Sequence, residues 1–198
     1  HRRPFPHPGS MHPKLARALV NITGIKENET LLDPFCGTGG FLIEAGLMSI
    51  KTIGYDINKT LIKGCKDNLK HFGINNFRIK NKNAIDINDK FDYVATDLPY
   101  GLNSNALLKY DKNHWKKYRI NKKIEAKNFI KNIESFYLKF LRKLGKMLKK
   151  KAVIVFPSYV GYKKLLKAAK LRIDFEYEMY VHRSLSRKIV RVKGNVNN

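Results

Sequence analysis

Apolar residues recur along this chain at two spacings. Some stretches place them three and four residues apart, as one face of a helix does, and others are short unbroken apolar runs of the kind a buried strand shows. The stretch "MHPKLARALVNITG" puts Leu15, Ala18, Leu19 and Ile22 on one helical face and stops at Gly24. The run "ETLLDPF" reads as a short buried strand, and "GTGGFLIEAGLMSI" as an apolar helix that starts at glycines. The segment "KTIGYDI" is a second strand, followed by "NKTLIKGCKDNLKHFG", a helix with Leu61, Ile62, Cys65 and Leu69 on its inner face. Two more strands follow, "FRIKNK" and "FDYVATD". A long amphipathic helix is predicted from Lys122 to Leu148, with Phe129, Ile133, Phe136, Tyr137, Phe140, Leu144 and Leu148 recurring at helical spacing. The strand "KAVIVFP" and the helix "YVGYKKLLKAAKL" come next. The last runs, "FEYEMYVHR" and "RKIVRV", flank a short polar turn and read as an antiparallel pair.

Strands that alternate with helices imply an α/β fold, a mostly parallel sheet with helices on both faces. The closing hairpin adds an antiparallel end to that sheet. The opening "HRRPFPHPGS" is Pro-rich and basic, hence extended or turning. No repeat and no internal domain boundary interrupts the 198 residues, a length that suits one domain with a sizeable core.

Composition narrows the function classes. No apolar run reaches membrane-spanning length, and no secretory pattern opens the chain. Cys36 and Cys65 form neither a disulfide framework nor a metal-ligand cluster, so no metal is expected and the reducing cytoplasm is the default location. Charge says more. Lys and Arg total 40 against 16 Asp and Glu, a net of +24. A field of that size and sign favours polyanions and points to a nucleic-acid partner. An AT-rich genome can enrich lysine too, but it explains less well why so few acids balance them.

The loop "LLDPFCGTGG" lies at a strand-to-helix junction, where Gly37, Gly39 and Gly40 let the backbone come close to a ligand. A phosphate loop of the ATPase kind needs Lys and then Ser or Thr after its last glycine. Here Phe41 and Leu42 follow. A dinucleotide fingerprint needs its third glycine three positions after the second, and here it is the next residue. Asp33, just before the loop, would repel a pyrophosphate but suits a ligand with a cationic end, such as the ammonium and sulfonium of S-adenosylmethionine. The second strand ends in Asp56, 56 − 37 = 19 residues past the first glycine, where an acid receives ribose hydroxyls. Asn83 or Asp86, after the third strand, can reach the adenine amine. Taken one at a time, a tight turn explains the glycines and a helix cap explains Asp33. The three features at these spacings are better explained together, by adenosylmethionine with adenosylhomocysteine as product. Cys36 reads as a small filler, since no base adjoins it.

The fourth strand ends in "TDLPYG", at the edge where doubly wound sheets bind ligands. A strand-ending turn needs the Pro and the Gly, but not the acid and the aromatic ring. Methylating an exocyclic amine does need them. That lone pair is delocalised into the base, and two acceptors on its N–H bonds would make it available. The Asp97 carboxylate is one acceptor, able also to take the departing proton, and the Leu98 carbonyl is the other. Pro99 fixes its own φ and biases Leu98 to an extended form, and Tyr100 offers a ring face on which the base stacks. The plain alternative is a buried aspartate capping a turn.

This stretch resembles the Asp/Asn-Pro-Pro-Tyr motif of amino-methyltransferases acting on nucleic-acid bases, with Leu98 where the first proline is usual. Together with "RRPFPHPGSMHPKLARALVNITG", "LLDPFCGTGGFLIEAGLM" and "YVHRSLSRKIVRV", it makes nearly the whole chain resemble the catalytic domain of the archaeal tRNA guanine-10 N2-methyltransferases and dimethyltransferases. That family carries an N-terminal THUMP domain. The resemblance implies a Rossmann-like class I methyltransferase sheet and a tRNA substrate. Pro8, Gly9, Ser10 and Met11 would then flank the methionine end of the cofactor. Asp33, Cys36, Gly37, Thr38 and Gly39 would form its loop, Asp56 with Ile57 the ribose contact, and Asn83 with Ala84 the adenine contact. Asp97, Leu98, Pro99 and Tyr100 would hold the guanine, with Asp97 also bordering the cofactor. The family usually has an acid where Asn83 stands, which keeps Asp86 as the reserve.

Two further stretches bear on RNA. In "LLKYDKNHWKKYRINKK", Tyr110, Trp115, Lys116 and Arg119 interleave ring faces with cations, the pattern that binds unpaired bases and phosphates. A loop whose aromatics cover the sheet edge has the same composition. In "VHRSLSRK", which should overhang the crevice, His182, Arg183 and Arg187 could touch the RNA backbone; a hairpin turn with ordinary polar residues is the plain alternative, and the family resemblance favours contact. The motif alone does not separate guanine from adenine or cytosine, in RNA or DNA, and a silent nucleic-acid-binding partner would keep the same fold. The chain shows no device for choosing one guanine among many. It is therefore expected to be the monomeric catalytic part of a longer protein whose N-terminal region docks the tRNA.

Overall fold

The computed structural model describes residues 3–7, 10–100, 122–182 and 185–194, without the side chains of 122–128, 182 and 185. Helix α1 (Pro13–Ile22) leads into β1 (Thr30–Asp33), α2 (Gly40–Gly46), β2 (Lys51–Asp56), α3 (Lys59–His71) and β3 (Phe77–Asn81). A single 3-10 turn (Ala84–Asp86) precedes β4 (Phe91–Asp97). Then come α4 (Lys122–Met147), β5 (Leu148–Pro157), α5 (Tyr162–Ala168), β6 (Arg172–His182) and β7 (Leu185–Lys193). The seven strands form one sheet in the order β3-β2-β1-β4-β5-β7-β6. The first five are parallel, while β7 runs antiparallel to both β5 and β6. This is the α/β sheet with a terminal antiparallel pair that the patterning predicts. The final strand, however, lies inside the sheet and β6 takes the edge.

Both faces of the sheet are covered, which is why its central strands read as unbroken apolar runs. Strand β5 shows the alternation. Ala152, Ile154 and Phe156 join the core under α4, with Phe136, Tyr137, Phe140 and Leu144. Val153 and Val155 join the opposite core, with Leu19 of α1 and Phe41 of α2. Each fully buried large side chain contributes about 1.5–3 kcal/mol.

Two element details differ from the pattern reading. The buried residues of α1 are Ala16, Leu19 and Val20, and Ala18 faces solvent. Alanine fits either side of a helix, so the larger Val20 decides the rotation. The structure also gives Leu148 to β5 and not to the long helix, with β5 starting three residues before "KAVIVFP". Its backbone pairs with Phe91 of β4, and this cross-strand bond outweighs continued helical periodicity.

Candidate functional site

The carboxyl ends of β1, β2 and β4 converge, and each ends in an aspartate: Asp33, Asp56 and Asp97. Parallel strands bring this about, because their ends lie on one edge and the chain leaves each through a loop on that edge.

Asp33 is 2% exposed. Its Oδ1 accepts the Phe35 N–H at 3.1 Å and the Thr96 hydroxyl at 2.9 Å. Its Oδ2 has no hydrogen bond among the described residues and remains for a ligand. Burial, reinforced by the charges of Asp56 and Asp97, pushes the carboxyl up to about 7 despite the two hydrogen bonds. A buried acid this costly to ionise suits a cationic partner. Asp56 accepts the Gly37 N–H at 3.0 Å on Oδ2 and the Asn58 N–H at 2.8 Å on Oδ1. It thereby ties β2 to the glycine loop while keeping lone pairs for hydroxyl donors. Burial raises its pKa.

The loop itself needs its glycines. Gly37 and Gly39 have φ of 50° and 91°, in the left-handed region. A Cβ on Gly39 would lie 2.9 Å from the Cys65 sulfur, whereas one on Gly37 would meet nothing within 4 Å. The open side of the loop is therefore at Gly37, beside Asp56. Cys36 and Cys65 are both buried and reduced, as expected of packing residues. Beyond β3, the Asn83 side chain caps the 3-10 turn by accepting the Ile85 N–H at 3.3 Å, Ala84 is buried, and Asp86 is exposed. Just before the turn, the Lys82 N–H ties the chain to β2 at the Asp56 carbonyl, 3.0 Å away.

The chain before α1 folds back over this loop. Asn68, fully buried on α3, accepts the Phe5 N–H at 2.9 Å and donates to the carbonyls of Phe5 and Thr38 at 3.0 and 2.9 Å. The Phe5 ring sits over Gly64, where a Cβ would come within 2.4 Å of it. Ser10 Oγ lies 3.4 Å from the Thr38 hydroxyl, and Met11 is buried in the α1 core. Pro8 and Gly9 lie outside the described residues.

At the end of β4, Leu98 donates to the Val155 carbonyl at 3.1 Å and its side chain is buried in the core. That anchoring replaces the rigidity a proline would give there. The Leu98 carbonyl accepts no hydrogen bond among the described residues. The next two carbonyls are occupied: Tyr137 of α4 donates to Pro99 at 2.7 Å, and Tyr159 donates to Tyr100. Asp97 has one oxygen, Oδ1, that is closed off from water and has no hydrogen-bond partner among the described residues. Its Oδ2 lies 3.8 Å from a guanidinium nitrogen of Arg187. Burial pushes Asp97 up to about 6, opposed by the Tyr100 hydroxyl and Arg187. About a quarter of the side chain remains open to solvent, so the desolvation is that of a partly closed crevice.

Tyr100 is more than a ring face. Its hydroxyl takes the Arg187 Nε–H at 3.3 Å and lies against Asp97, and burial raises its pKa. Arg187 is thus drawn to the aspartate. Of the other residues read as RNA contacts, Tyr110, Trp115, Lys116, Arg119 and Arg183 lie outside the described residues, and His182 is described only by its backbone, at the end of β6. Among the described residues, no helix is long and apolar enough to cross a membrane.

Comparison with known proteins agrees with this geometry. Residues 1–112 match the family described as "RMKL-like, methyltransferase domain". A tRNA (guanine(10)-N2)-dimethyltransferase of Methanothermobacter thermautotrophicus is 37% identical over 97% of this chain, which spans 51% of that relative. A probable tRNA (guanine(10)-N2)-dimethyltransferase of Methanothermococcus thermolithotrophicus is 36% identical, covering 89% of this chain and 95% of its own length. The chain belongs to this RMKL-like tRNA (guanine(10)-N2)-methyltransferase family. A solved putative methyltransferase, SMU.472, complexed with SAH, shares the fold at a TM-score of 0.68, with 12% identity over 98% of this chain and 55% of its own.

Several residues of this methyltransferase domain escape a reading of motifs. Thr96, Tyr137 and Tyr159 come from a strand interior, a helix face and a loop, where each reads as packing. Arg187 reads as a contact to the RNA backbone, and its place beside Asp97 and Tyr100 is given only by the structure. Asn68 is the exception, because a polar residue next to Cys65 and Leu69 on an apolar helix face is itself a signal.

Proposed function

We propose that this methyltransferase domain transfers the methyl group of S-adenosylmethionine to the N2 amine of a guanine in tRNA, guanine 10 by the names of its relatives. The observation that carries the proposal is the Thr96–Asp33 bond. It joins the cofactor half of the crevice to the residue immediately before the amine acceptor.

The residues fit the cofactor. Asp33 Oδ2 is a buried acceptor for an ammonium, and the open side of Gly37 beside Asp56 is a cradle for a ribose whose hydroxyls donate to that carboxylate. Asn83 and Asp86 flank the place of the adenine. The cofactor supplies an electrophilic methyl carbon on a sulfonium. The chain's part is to ready the amine. The Asp97 carboxylate would accept one N–H and the Leu98 carbonyl the other, freeing the nitrogen lone pair from the ring for the methyl group that the cofactor would supply. The proton displaced from the amine goes to Asp97, a carboxylate whose pKa is close enough to neutrality to take and release it. Pro99 and Tyr100 are fixed beforehand by Tyr137 and Tyr159, so the acceptors need no rearrangement.

The test is to incubate the chain with labelled adenosylmethionine and a tRNA transcript, digest the RNA and separate the nucleosides. N2-methylated guanosine is expected, as the mono- or dimethyl form. Label only in adenosine or cytidine would overturn the choice of base, and calorimetry showing no cofactor binding would overturn the enzyme.

A further inference from the structure

Arg187 lies deeper in the crevice than a contact to the RNA backbone requires. On β7 it sits opposite Pro157 of β5, one side chain away from the end of β4. Its side chain is only 12% exposed. The guanidinium makes three relations at once: a nitrogen 3.8 Å from Asp97 Oδ2, the Nε–H donated to the Tyr100 hydroxyl at 3.3 Å, and its carbon 5.9 Å from the centre of the Tyr100 ring. Meanwhile Asp97 Oδ1 is buried without a hydrogen-bond partner among the described residues. The charged and polar groups that hold this carboxylate are Arg187 and the Tyr100 hydroxyl.

We propose that Arg187 is a positioning residue for the methyl transfer: it holds the Asp97 carboxylate and Tyr100 together so that the carboxylate keeps one orientation toward the target amine. The inference rests on the reading of Asp97 as the amine acceptor. Arginine suits the task because its guanidinium is planar, always charged, and can serve two acceptors and a ring face from one rigid group. A lysine is a point charge and can keep the attraction to Asp97 without the fork. The groups that face Asp97 are Asp33 of β1, Tyr100, Tyr137 of α4 and Arg187. Among these described groups Arg187 is the cation. It also opposes the burial that drives Asp97 toward its neutral form. A neutral Asp97 would offer a hydroxyl where an acceptor is needed.

This role differs from a phosphate contact in what it predicts. Arg187→Met and Arg187→Lys are compared with the unaltered chain, using labelled methyl transfer to a tRNA transcript for kcat and KM, and calorimetry for adenosylmethionine. Carbon-13 NMR of the Asp97 carboxyl, assigned with Asp97→Asn, follows its titration without any RNA. Arg187→Met is expected to lower kcat about tenfold or more, a loss of oriented acceptance, with cofactor affinity within about twofold. The Asp97 titration should rise by about one pH unit, the loss of one nearby opposite charge. Arg187→Lys should restore most of the titration shift but not kcat. An unchanged kcat with a raised KM for tRNA would overturn the proposal and make Arg187 a backbone contact. Lowered thermal stability with unchanged kcat and Asp97 titration would overturn it as well. If Asp97→Asn keeps full turnover, the reading of Asp97 fails on its own account. If Asp97 is essential and kcat is indifferent to Arg187, only the present inference falls.

Discussion

Replacing Asp33 by asparagine should make the protein more stable and the site worse. The carboxyl is buried and pushed from 3.8 up to about 7, so the folded state carries its charge at a cost. Three units at 1.36 kcal/mol each is about 4 kcal/mol. The sign follows from proton binding. Between the two pKa values the folded state holds a proton that the unfolded chain has lost, so stability falls as pH rises from about 4 to about 7. An asparagine of the same shape keeps an oxygen for the Phe35 N–H and the Thr96 hydroxyl and has no charge to bury. Its stability advantage should be small at pH 4 and grow to at most ~4 kcal/mol at pH 8. For a chain of this length each kcal/mol moves Tm by about 2–4 °C. The amide cannot neutralise an ammonium, so adenosylmethionine should bind more weakly by about 1.5–3 kcal/mol, roughly 10- to 150-fold. Urea denaturation at pH 4, 6 and 8 measures the first effect and calorimetry the second. A stability difference independent of pH would show that the charge at Asp33 costs nothing. Unchanged cofactor affinity would remove Asp33 from the ammonium.

On the proposed role of Asp97 at the amine, Asp97→Ala should abolish turnover while leaving cofactor affinity within about twofold; equal loss of both would make it structural. In the unaltered chain, kcat should fall as pH drops through about 6, where Asp97 takes up a proton; a profile flat from pH 5 to 8 argues against an acceptor carboxylate. Asp56→Ala should weaken cofactor binding by on the order of 1.5–3 kcal/mol, the worth of a charged hydrogen bond, and calorimetry showing no change would end the ribose assignment. Asn68→Ala removes three hydrogen bonds that tie the Phe5 segment to the glycine loop. Limited proteolysis before α1 should speed up and cofactor affinity should drop; an unaltered cleavage rate would mean that Phe5 over Gly64 suffices to hold the segment.

The sequence by itself determined a great deal here, because parallel sheets write themselves plainly. Strands buried on both faces become apolar runs such as "KAVIVFP", and the helices between them carry one-sided patterns. That alternation implies a sheet whose carboxyl ends share an edge, and so places Asp33, Asp56 and Asp97 together although 64 residues separate the first from the last (97 − 33 = 64). Loop chemistry was legible for the same reason: a positive φ requires glycine at Gly37 and Gly39, and a residue type records that requirement. What only the tertiary structure decided was partnership across strands. Register sets Arg187 opposite Pro157 and so within reach of Asp97, whereas its place in "VHRSLSRK" reads only as a contact to RNA. Thr96 points at Asp33, and Tyr137 at the Pro99 carbonyl, through packing between elements distant in sequence. Helical rotation behaved similarly in α1, where alanines leave the buried face undetermined until Val20 meets its neighbours. Periodicity fixes which residues share a face. Which polar atom meets which depends on strand register and helix docking, and these are settled by contacts between elements far apart in the chain.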